Sequence, residues 1–79
     1  MYTIERRKIS GGGTIETVYE IRRYERIADN GVFVGGKTIK IVKDKKTAEA
    51  YCRKKSLKFL GKRDNATEVW TNNTFWEEQ

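Results

Sequence analysis

Histidine and proline are absent from this chain, and cysteine occurs once, as Cys52. Without histidine, the commonest general base and the commonest metal ligand are both missing. One cysteine forms no intramolecular disulfide and builds no zinc site of the Cys or His type. Secreted domains of this size usually carry disulfide staples, so the expected location is cytoplasmic. No apolar run approaches the roughly 20 residues that span a bilayer, so no membrane association is expected. The start, Met1-Tyr2-Thr3-Ile4-Glu5-Arg6, has no apolar core of the kind that directs export. Against that background, Asn65-Ala66-Thr67 and Asn72-Asn73-Thr74 read as turn chemistry rather than as glycosylation sites.

The carboxylates are also thinly placed. Asp29 and Asp64 fall in turn contexts, Asp44 at a helix start and Glu68 in a strand pattern, and no two are spaced as a local ligand pair. Cys52 lies on an apolar stripe, where it reads as a small core residue. The expectation is a protein that is not an enzyme and carries no cofactor and no metal.

What the chain has is positive charge and aromatic residues. The net charge is +6 over 79 residues, and 35% of residues are charged. Residues 44–63 alone carry +6, residues 1–43 carry +4, and residues 64–79 carry −4. Nine aromatic residues supply large burial per side chain to a domain whose core is thin at this length.

Glycine and asparagine punctuate the pattern. Residues 2–9 are rich in strand formers and end at Ser10-Gly11-Gly12-Gly13. In residues 15–27, Ile15, Thr17, Tyr19 and Ile21 alternate with Glu16, Glu20, Arg22 and Arg26, interrupted by Val18 and Tyr24. That is the period of a half-buried strand, and it predicts a hairpin across the glycine run. The run is not a phosphate-binding loop, because no Lys-Ser/Thr and no helix follow it at the required spacing. Asn30-Gly31 predicts a second turn. Gly35-Gly36 is read either as a bulge in one long strand or as a turn between two short ones, with Ile39 and Ile41 on one side and Thr38 and Lys40 on the other. Asp44, with Thr47 as the alternative, caps a helix whose stripe is Ala48, Tyr51 and Cys52. This helix is expected to reach about residue 57, with 57–60 open between helix and strand. A last hairpin is expected about Asn72-Asn73, setting Trp70 opposite Phe75 and Val69 opposite Trp76. The predicted fold is a single α+β domain over 1–79. It has an antiparallel sheet of about three strands, one helix packed on it and a C-terminal β-hairpin, in the order β-β-β-α-β-β.

The basic run is the main functional signal. Lys45, Lys46, Arg53, Lys54, Lys55, Lys58, Lys62 and Arg63 are expected to crowd one helix and the loop after it, with Lys54 and Lys58 one helical turn apart and Lys55 beside them. Lysines one turn apart repel, and a polyanion would remove that cost. A second patch is expected on the outward face of the sheet, from Arg22, Tyr24, Arg26 and Lys40, where cations interleaved with an aromatic suit groove readout or base stacking. The leading expectation is therefore a small basic module contacting phosphates of nucleic acid, DNA or RNA. The alternative is a small inhibitor or adaptor of the kind mobile elements use against a host, docking on an acidic protein surface. Trp70, Phe75 and Trp76 would then be its anchors.

Overall fold

A computed structural model describes residues 1–72. Seven strands and one helix follow in chain order: β1 (Tyr2–Gly11), β2 (Thr14–Arg23), β3 (Arg26–Ile27), β4 (Phe33–Val34), β5 (Lys37–Val42), α1 (Lys45–Lys54), β6 (Lys58–Asp64) and β7 (Thr67–Thr71). The main sheet has five strands in the order β5-β2-β1-β7-β6, every neighbouring pair antiparallel, and β3 pairs with β4 as a separate ribbon. The α+β class stands as expected, but the strand number and order do not: the sheet has five strands rather than about three.

β1 and β2 form one long hairpin in continuous register from Tyr2↔Arg23 to Gly11↔Thr14. Gly12 and Gly13 make its two-residue turn at φ +59° and +81°. Positive φ at both central positions is the twist-matched hairpin geometry, and glycine adopts it without steric cost. Asn30-Gly31 also turns the chain as expected, with Gly31 at φ +84° and Ala28 N–H bonded to Val32. Gly35-Gly36 is not a bulge. It joins two short strands that belong to different sheets, and a side chain at Gly36 would run into the ring of Tyr24.

Helix α1 starts at Asp44, whose carboxylate accepts the Thr47 N–H at 2.8 Å. It does not reach residue 57. Ser56 takes a left-handed conformation at φ 62°, the Ser56 N–H bonds to Arg53 O, and the Leu57 N–H bonds to Cys52 O, both at 2.9 Å. This pair of bonds closes the last turn as a Schellman motif, and the buried Leu57 supplies its hydrophobic contact. Residues 58–64 are thereby released to form strand β6. The C-terminal hairpin within the described residues is β6–β7; the hairpin predicted about Asn72-Asn73 has its second strand outside them.

α1 connects the two edge strands, and its buried Ala48 and Cys52 meet Ile4, Ile21, Val42, Leu57 and Trp70 in the core, flanked by Tyr2, Tyr19 and Tyr51. Both edges are bulged. Ile39 is the extra residue in β5, and Leu60 and Arg63 are the extra residues in β6. Bulges and lysines on edge strands discourage pairing with other chains.

Candidate nucleic-acid interface

The bulge at Ile39 decides which cations meet. Lys40 opposes Ile21 and Thr38 opposes Arg22, so the two residues expected on one face lie on opposite faces of the sheet. Lys40 joins the helix side, with its ammonium 5.2 Å from the centre of the Tyr51 ring. Lys55, beyond the end of α1, places its ammonium 5.4 Å from the same ring. Together with Lys54 these residues line an open depression between the helix and the β5 edge. Among the described residues, no carboxylate lies within 4.0 Å of any of the three ammonium groups. Each cation–ring contact is worth about 0.5–1 kcal/mol at an exposed site, which holds the lysines near one another despite their repulsion.

The remaining basic residues do not gather there. Lys45, at the start of α1, forms an ion pair of 2.9 Å with Glu68, which raises the lysine's pKa. Burial acts to raise the Glu68 pKa, but the Lys45 and Trp70 hydrogen bonds outweigh it and hold it below the ordinary range. Lys62 stands opposite Glu68 and lines a small recess with Lys45 and Arg6. Arg53 lies over Trp70, 5.7 Å from the ring centre. Lys46 and Lys58 are exposed. Arg63 reaches the other face of the sheet, where its guanidinium lies 4.8 Å over Phe33.

That other face is already satisfied internally. Glu20 is buried and accepts hydrogen bonds from Arg7 at 2.9 Å, from Arg22 at 3.1 Å and from the Thr38 hydroxyl. Burial acts to raise its pKa, but Thr38 and the two guanidinium groups more than offset this and hold it below the usual carboxylate range. Tyr24 donates to Glu5 at 2.8 Å, accepts from Arg22 at 3.1 Å, and packs edge-on against Phe33. Arg22 and Tyr24 are thus occupied in holding two carboxylates, and Arg26 stands exposed on β3, apart from Lys40. The second patch expected from these four residues does not assemble.

Trp70 is 2% exposed and donates to Glu68 at 3.2 Å, so it is a core residue and offers no anchor to a protein partner. Phe75 and Trp76 lie outside the described residues. Cys52 is fully buried, and burial pushes its thiol up to about 11. Among the described residues no group of three or more His, Cys, Asp or Glu side chains could hold a metal, and no helix is long and apolar enough to cross a membrane. Comparison of the chain with protein-family models, with curated proteins and with solved structures gives no match.

Two features were not visible from spacing. Tyr51 belongs to the apolar stripe of α1, yet its half-buried ring also carries Lys40 from a strand that a helix-only reading cannot bring near. The projecting half of the β1–β2 hairpin left no signal, since its alternation matches that of the sheet-bound half.

Proposed function

We propose that this protein is a small, non-catalytic nucleic-acid-binding module that contacts phosphates through the side of the molecule bearing α1. The observation that carries this reading is the meeting of Lys40, Lys54 and Lys55 around Tyr51 with no carboxylate among the described residues to neutralise them. Fold stability does not require three like charges beside one ring. A phosphate backbone relieves their repulsion and gains from counterion release. Lys46 and Arg53, exposed on the same helix, extend the positive field along it. Charge contacts of this kind carry affinity without base specificity.

The test is fluorescence anisotropy with labelled oligonucleotides over a range of salt. The expected result is binding that weakens steeply as salt rises, and a logarithmic salt slope reduced by about 2 in Lys40→Glu/Lys55→Glu. Absence of binding at low salt overturns the reading. An unchanged slope in the double variant removes the Tyr51 cluster from it.

A further inference from the structure

The β1–β2 hairpin is longer than the sheet that holds it. Pairing with β7 ends at Glu5, with one further backbone bond from Arg6 N–H to Ala66, and pairing with β5 begins at Tyr19. Beyond those limits, the register pairs from Arg7↔Val18 to Gly11↔Thr14 stand as a two-stranded ribbon with no third strand on either side among the described residues. Five residues at about 3.3 Å each make it roughly 17 Å long. The molecule is correspondingly elongated, at 49 × 29 × 20 Å. Every residue from Arg6 to Thr17 is exposed, Ile15 at 72% and Ile9 at 50%. A lone two-stranded hairpin is marginal in water, and beyond its first pair, where Val18 is buried, it holds no buried residue that requires one.

The register assigns the ribbon's faces. Arg6, Lys8 and Ile15 share the side on which Ile4 and Ile21 meet the helix. At the root, Arg6 lines the recess with Lys45 and Lys62, so cations run from the ribbon onto the body; Asp64 and Glu68 line the recess too, and Glu68 is paired with Lys45. The tip is narrow: around Gly11, Gly12 and Gly13 there is open space where side chains would stand.

We infer that this ribbon is a reading arm that lies in the major groove of a B-form DNA duplex, with Arg6, Lys45 and Lys62 at its root meeting the flanking phosphates. The assignment rests on the nucleic-acid reading above and names its substrate. The major groove of B-DNA, about 12 Å wide and 8.5 Å deep, admits a two-stranded β-ribbon. The major groove of A-form RNA is too deep and narrow for side chains to read. Single strands are held in concave grooves with aromatic platforms, whereas the ribbon projects and residues 7–18 contain no aromatic. Its side chains suit base edges: Lys8 for guanine acceptors, Ser10 and Thr17 for polar edges, and Ile15 for a thymine methyl.

Duplex DNA, single-stranded DNA of the same sequence and duplex RNA, titrated against the full chain, test this. The parent is expected to prefer duplex DNA by roughly tenfold or more over both others. Two variants remove the arm's contribution without touching the core. One deletes Ser10, Gly11, Thr14 and Ile15, shortening the ribbon by two register pairs while keeping the Gly12-Gly13 turn; the other is Lys8→Ser/Ile15→Ser. Both are expected to lose the duplex preference, to keep weaker salt-sensitive binding, and to retain the parent's thermal midpoint. Equal affinity of the parent for the three oligonucleotides overturns the arm assignment, as does a preference that survives in a folded variant. Binding to none of them at low salt overturns the phosphate-binding reading as well, which separates the two failures.

Discussion

The two halves of the β1–β2 hairpin have nearly the same chemistry and opposite environments. In the lower half Ile4 and Ile21 face each other at 2% and 0% exposure, flanked by β7 and β5 and covered by α1. In the upper half Ile9 and Ile15 are 50% and 72% exposed. Strand alternation, register and hydrogen bonding run through both halves without interruption. Burial therefore comes from what lies beside and above a strand, and the strand's own pattern does not supply it. In the lower half, isoleucine builds the fold. In the upper half the same residue adds exposed apolar surface, which the body does not use and a partner can cover.

The largest expected effect tests that contrast directly. Ile21→Ala should cost about 2–5 kcal/mol, enough to unfold a large fraction of so small a domain, whereas Ile15→Ala should stay within about 0.5 kcal/mol. Chemical denaturation of both variants measures this. A comparable loss at Ile15 would mean that the upper half is packed in solution.

A second effect, of about 1–3 kcal/mol, lies on the face away from the helix. Glu20 is held ionised by Arg7, Arg22 and Thr38, with its folded pKa below the unfolded one. Its contribution is fully present above the ordinary carboxylate range and is lost as pH falls through the depressed folded value. Glu20→Gln should lower stability at neutral pH and flatten the acid limb below about pH 4.5, measured by thermal midpoints across pH. A parallel acid limb in the variant would remove Glu20 from the root of the hairpin as its acid-sensitive support.

The smallest effect sharpens the comparison from the other side of the sheet. Ser56 holds a left-handed conformation that glycine adopts without strain. Ser56→Gly should therefore stabilise the protein by about 1 kcal/mol, raising the midpoint by roughly 4–8 °C. The gain belongs to the sheet's body, because Ser56 sets where α1 stops and β6 begins. The ribbon's amides, which exchange through local opening, should be left unchanged in hydrogen exchange.

Much of the local structure was readable in advance because its causes are local. Three glycines between alternating segments specify a hairpin turn, Asn30-Gly31 specifies another, and Asp44 before a run of helix formers specifies a cap. The helix end was not readable, since the left-handed position is taken by Ser56 rather than by glycine. The second basic patch failed for a related reason. Alternation put Thr38 and Lys40 on one face, and a single extra residue at Ile39 put them on two. Trp70 read as a candidate anchor because a strand pattern does not reveal which of its faces a helix will cover.

Residue order alone settled the α+β class, the long hairpin, the helix start, the absence of histidine chemistry and the excess of positive charge, all of which depend on neighbours in the chain or on composition. Tertiary structure alone decided that Lys40 meets Lys54 and Lys55 across Tyr51, that Glu20 is enclosed, and that half of the hairpin stands beyond the sheet. Those outcomes depend on strand order and bulge placement, which are set by how distant segments bury one another, and no local window of residues contains that information.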